Sequence, residues 1–144
     1  MTERNIEALL KRRIEQEIPG AKCLKFVSPG YAGVPDRLIL IPGGLAVFAE
    51  LKRPGETPRQ RQLFVQSQFR KMGFQVCGCV DSPEKVQEVV RLCVMLAGRL
   101  RYLRAQKEKR KKAGADPEGH GWSGRATQKA GDGTHGSAVA EDEV

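Results

Sequence analysis

Between Arg37 and Leu51 two apolar runs, RLILI and LAVFAEL, are separated only by Pro42-Gly43-Gly44. Runs this short, bounded by Gly and Pro and rich in branched and aromatic residues, predict a β-hairpin. Counting outward from Gly43 pairs Ile41 with Leu45, Leu40 with Ala46, Leu38 with Phe48 and Asp36 with Glu50. Directly opposed residues on an antiparallel pair hold their Cβ atoms about 4.5–5.5 Å apart. Two carboxylates at that distance repel unless a cation lies between them. Lys52 falls two residues after Glu50 and so on the same face. The hairpin therefore presents Asp36, Glu50 and Lys52 to a common point, a metal site with a basic neighbour. A register slip of one residue would carry Glu50 to the opposite face, and single carboxylates at strand ends are commonly just solvated.

The flanking elements follow from periodicity. Ile6, Leu9, Leu10, Ile14 and Ile18 mark one face of a helix over 3–17, with Thr2 as N-cap and Pro19-Gly20 as its stop. Residues 21–27 alternate as a first strand, and Pro35 forces Val34 out of the helical region. After Lys52, Thr57-Pro58-Arg59-Gln60 predicts an N-cap, a proline at the first helical position and a capping glutamine. That helix runs to about Met72 and ends at Gly73. Residues 74–80, FQVCGCV, form a fourth strand, and Ser82-Pro83 opens a last helix that reaches Leu100 and can continue through YLRAQKEKRKK. The expected order is helix, three strands, helix, strand, helix.

The net charge of +8 is unevenly spread. Residues 1–98 hold 15 Lys/Arg against 10 Asp/Glu, residues 99–112 hold 8 against 1, and residues 113–144 hold 2 against 6. The chain thus divides into a modestly basic domain over 1–98, a basic helical extension over 99–112 and a Gly/Ser-rich acidic tail over 113–144, expected to be disordered. A polyanionic partner is the natural inference, because Lys/Arg contacts to phosphates release counterions. Charge alone does not separate nucleic acid from an acidic membrane surface. The apolar stretches are strand-sized, so no membrane span is expected. The charged start MTERNIEALLKRR is not a secretory signal. Cys23, Cys77, Cys79 and Cys93 lie among apolar neighbours and read as reduced, buried thiols. Cys77-Gly78-Cys79 lacks a second ligand pair at zinc spacing.

With GVPDR at 33–37, ELK at 50–52, KFVSPG at 25–30, Ile6-Glu7 and Gln60 all in place, the chain resembles the PD-(D/E)xK nuclease superfamily. More narrowly it looks like the stand-alone VRR-NUC domains of phage and bacterial genomes. The resemblance spans about residues 2–95 and implies an α/β fold, a restriction-endonuclease-like αβββαβα core with a mixed sheet flanked by helices. It implies that Asp36 and Glu50 bind Mg²⁺ or Mn²⁺, with the Leu51 backbone carbonyl a further oxygen ligand and Glu7 an outer ligand through water. Hard oxygen donors suit those ions. Lys52 would stand beside the attacking water, and Gln60 would orient that water or a phosphate oxygen. The plainer readings are that Glu7 is a solvated helix carboxylate and that Gln60 only completes its cap.

Lys25, Arg37, Arg53, Arg59 and Arg61 are candidates for holding flanking phosphates, with Ser28 and Tyr31 in a glycine-bearing loop able to approach a backbone. No element resembles a base-reading helix, so backbone and shape recognition is expected. The resemblance implies a metal-dependent, structure-specific DNA endonuclease acting inside a bacterial or phage-infected cell, with cleavage of a Holliday junction by a homodimer as the leading substrate. The alternatives are a flap, fork or nicking enzyme acting as a monomer, and a non-catalytic DNA-binding module of the same fold.

Overall fold

The computed structural model describes residues 1–114. Helix α1 spans Glu3–Glu17, opened by the Thr2 hydroxyl, which accepts the Asn5 N–H at 3.2 Å. Its apolar stripe is fully buried at Ile6, Leu10 and Ile14. Strands β1 (Lys22–Lys25), β2 (Arg37–Ile41) and β3 (Leu45–Leu51) form an antiparallel meander, and β4 (Gln75–Val80) joins the far edge parallel to β3. The sheet order is β1-β2-β3-β4. The parallel pairing requires a crossover, which helix α2 (Gln60–Lys71) supplies. Helix α3 (Pro83–Lys112) follows β4, its first turn capped by the Ser82 hydroxyl accepting the Lys85 N–H at 3.3 Å.

The hairpin register is the one the sequence predicts: Ile41 pairs with Leu45, Leu40 with Ala46 and Leu38 with Phe48. The ladder ends at Arg37 and Ala49, so Asp36 and Glu50 stand one step beyond it. The turn is tight because Gly43 and Gly44 take φ of +116° and +92°. A Cβ on Gly43 would also lie 2.8 Å from the Leu100 side chain of α3, so the turn is closed against the last helix.

Period-2 alternation gives the sheet two different faces. One carries Cys23, Ile39, Ile41, Val47, Ala49 and Leu51 into the main core, where α1 and the first half of α3 cover it. On the other, Phe48 packs against Phe26, Phe69 and Phe74 with ring centroids 5.6, 4.8 and 5.5 Å away. Burial pushes the Cys23 and Cys93 thiols up to about 11 and about 12, which keeps them neutral in the core. All four cysteines are free.

Two boundaries differ from expectation. Strand β1 is shorter than 21–27, although the ladder continues loosely through the Phe26 N–H, which donates to the Asp36 carbonyl at 2.7 Å. Helix α2 starts with Arg59, not Thr57, as its N-cap. Gln62 decides this: its Oε1 reaches back three residues to accept the Arg59 N–H at 2.9 Å, the reciprocal half of a capping box. Helix α3 runs without a break past Leu100 to Lys112, its last buried residue being Ala97. Of the expected tail, residues 115–144 lie outside the described residues. Among the described residues no helix is long and apolar enough to cross a membrane.

Candidate metal and nuclease site

Where β2 begins and β3 ends, Asp36, Glu50 and Lys52 come together. Asp36 Oδ2 accepts the Leu51 N–H at 2.9 Å, which fixes its carboxylate against the end of β3. Glu50 is wholly buried. Its Oε1 accepts from Lys52 Nζ at 2.5 Å and from Gln62 Nε2, while its Oε2 is buried with no hydrogen-bond partner. Burial pushes the Glu50 carboxyl up and the Asp36 charge adds to this, with the Lys52 hydrogen bond opposing in part. Burial would pull Lys52 down, but the hydrogen bond and the charges of Glu50 and Asp36 override it, so its pKa rises and the ammonium is retained.

A buried carboxylate oxygen with nothing to bond is costly. Here it belongs to one of two adjacent carboxylates, a pair that a hard divalent cation would stabilise. The residues therefore fit Mg²⁺ or Mn²⁺. Among the described residues no group of three or more His, Cys, Asp or Glu side chains gathers. Beyond Asp36 and Glu50, the described residues leave backbone carbonyls and water to complete a shell.

Not every candidate joins the cluster. Glu7 projects from α1 and forms an ion pair with Arg37 Nη2. It lines an open cleft of about 630 Å³ with Glu3, Arg4 and Arg53. Arg37 is not a surface phosphate contact: at 6% exposure it lies under α1, on the face opposite Glu50. The cause is strand alternation, since Arg37 directly follows Asp36 and must point the other way. Gln60 is exposed on the first turn of α2, and the glutamine that reaches Glu50 is Gln62. Helical rotation explains the difference, because residues two apart point to different sides. The signal in the sequence was the spacing Arg59 to Gln62, a capping pair two residues downstream of the one that Thr57 and Pro58 advertise.

The remaining cationic candidates are dispersed. Lys25, Arg53 and Arg59 are exposed around the site. Ser28 accepts the Tyr31 N–H through its carbonyl at 3.2 Å, closing a turn in the loop before β2. Arg61 bonds that same loop, donating from Nε to the Ala32 carbonyl at 3.0 Å.

The fold and this cluster can be set beside known proteins. A solved VRR_NUC domain superposes with a TM-score of 0.57 at 29% identity, covering 63% of this chain and 97% of that one. The chain has the fold of a VRR-NUC domain. A second similarity is to "Putative nuclease p44" of Acyrthosiphon pisum secondary endosymbiont phage 1, 47% identical over 57 residues. That match takes in 40% of this chain, which spans 61% of the phage protein's length. No family model matches the chain. That fold agrees with the restriction-endonuclease-like α/β fold that the resemblance implied.

Proposed function

We propose that this VRR-NUC domain is a metal-dependent DNA endonuclease that hydrolyses phosphodiester bonds in branched DNA. The observation that carries this reading is the Glu50 carboxylate, buried, with one oxygen held by Lys52 and Gln62 and the other left without a partner. Asp36 and Glu50 would hold Mg²⁺ or Mn²⁺, with the Leu51 carbonyl and water completing the shell. Such an ion supplies Lewis-acid polarisation of the scissile phosphate and activation of water.

The chain's own groups do the rest. Lys52 is held charged beside Glu50 and offers a fixed donor to the water or to the charge that grows on the phosphate oxygens as water attacks in line. Gln62 and Lys52 together fix the Glu50 rotamer, so the ligand geometry is set before substrate arrives. Asp36 is locked by the Leu51 N–H to the same end. Exposed Lys25, Arg53 and Arg59 would hold phosphates on either side of the break. With no base-reading helix among the described residues, selection falls on backbone shape. A homodimer bringing two such sites to opposite strands of a four-way junction is the arrangement we favour, in an intracellular setting.

Cleavage of a labelled panel (four-way junction, flap, fork and linear duplex) with Mg²⁺ or Mn²⁺ tests this, run beside Asp36→Asn. Paired symmetric cuts in the junction, lost in the variant, are expected. Cutting of flaps or forks alone would retain the chemistry and remove the junction and the dimer. Tight binding without cleavage under either ion would leave a binding module.

A further inference from the structure

Beside the carboxylates, the loop before β2 and the start of α2 build a second feature that hydrolysis itself does not use. The Arg61 guanidinium lies over the Tyr31 ring at 5.0 Å and over the Phe64 ring at 5.4 Å. Both rings remain open, Tyr31 at 38% and Phe64 at 50% exposure. A single exposed apolar side chain is ordinary. Two rings gathered round one arginine, at the helix turn whose Gln62 holds Glu50, are not.

The arrangement is also rigid. Gly33 takes φ +89°, and a Cβ there would lie 2.8 Å from Arg61 Cγ and 3.1 Å from the Arg61 carbonyl oxygen. The loop carrying Tyr31 is thus seated directly on the arginine stem, and the Arg61 hydrogen bond to the Ala32 carbonyl pins it. Rings held this way lose little freedom when a flat partner stacks on them.

We infer that Tyr31, Arg61 and Phe64 form a stacking platform for an unpaired nucleotide base next to the scissile phosphate. Charge identifies the occupant. Helix α2 and its N-cap carry Arg59, Arg61, Arg70 and Lys71 and no acidic residue. A second copy of the chain would bring like charge to this surface, whereas a single-stranded nucleic acid brings phosphates for the arginines and flat bases for the rings. The inference rests on the nuclease reading and deepens it: the substrates preferred are those with an unstacked base at the branch, not a continuous duplex.

The test uses the full chain carrying Asp36→Asn, so that binding is read without cleavage. Its probes are a forked DNA with 2-aminopurine at the first unpaired position and a fully paired duplex with the same label. Binding of the fork is expected to change the 2-aminopurine emission by stacking. Adding Phe64→Ala should abolish that change and weaken fork affinity about tenfold. Duplex affinity should stay within about twofold and the salt dependence should be unaltered, because every cation that faces a phosphate is still in place. Phe64→Trp should restore the signal, which also guards against a misfolded alanine variant. Equal losses on fork and duplex, or an unchanged emission on binding the fork, would overturn the platform. So would a change in sedimentation of the Phe64→Ala protein without DNA, which would make this face a contact between copies. Failure of the Asp36→Asn parent to bind any DNA would instead defeat the nuclease reading.

Discussion

At the scale of single residues, Glu50 is held in a state it would not choose. Burial and the neighbouring Asp36 charge raise its pKa above the usual 4.5. A carboxyl raised in the folded state binds its proton before the unfolded chain does, so the ionised form lowers stability at neutral pH. The metal-free protein should therefore gain stability as pH falls from neutrality towards about 4.5, the unfolded value. Glu50→Gln, which carries no charge, should flatten that part of the profile. Urea midpoints in EDTA across this range check it, and a Glu50→Gln profile as steep as that of the parent would contradict the assignment.

The two glutamines make a second residue-scale contrast. Removing the Gln62 amide strips a donor from a buried carboxylate and a cap from the Arg59 N–H. Gln62→Ala should cost about 1–3 kcal/mol and lower cleavage at least tenfold. Gln60→Ala, at an exposed position, should stay within about 0.5 kcal/mol of the parent. Thermal melts and initial cleavage rates on the two variants separate them. A silent Gln62→Ala would show that the hydrogen bond does not organise the site.

At the scale of elements, the site depends on three pieces meeting: the loop before β2, the end of β3 and the first turns of α2. At Gly33 the loop lies directly against the helix. Gly33→Ala must adopt a positive φ and displace Arg61, so a loss of about 1–3 kcal/mol is expected. Because the loop also leads into Asp36, cleavage should fall by more than the stability change explains at a temperature where the variant is fully folded. Comparing rate and melting point in the same buffer decides it. Midway along α2, Gln66 donates to the Gly78 carbonyl at 3.0 Å, and a Cβ on Gly78 would meet that amide oxygen at 2.6 Å. The helix is thus fixed by its first turn and its middle to the β3–β4 half of the sheet.

At the scale of the whole molecule, the core stops before the chain does. The buried residues of α3 end at Ala97, yet the helix continues to Lys112 with 8 Lys/Arg against one Glu over residues 99–112. Leu100 and Arg104 still lie against the β2–β3 turn at Gly43, and beyond them the helix is almost wholly exposed. Exchanging Lys107, Lys109, Arg110 and Lys111 for Gln should leave the melting temperature nearly unchanged. It should weaken DNA binding and make its salt dependence shallower, by about 0.9 for each phosphate no longer neutralised. Binding titrations at several salt concentrations measure the slope, and an unaltered slope would place the extension away from DNA.

How much of this was legible beforehand follows from the range of the interactions. Local periodicity and turn chemistry predict the helix over 3–17, the hairpin register and the Ser82 cap, because each is settled by neighbours a few residues away. The same register puts Asp36 opposite Glu50 with Lys52 alongside, since alternation along one strand and pairing across a tight turn leave little freedom. The amino-acid sequence by itself therefore determined the element order, the sheet pairing of the hairpin and the acidic pair with its lysine. Only the tertiary structure decided that Arg37 is buried against Glu7, that Gln62 and not Gln60 meets Glu50, and that Arg61 holds the Tyr31 loop. Those outcomes depend on how α1 and α2 rotate when they pack on opposite faces of the sheet. A rotation of one residue about a helix axis is invisible to a pattern of apolar spacing, yet it changes which side chain reaches a buried carboxylate.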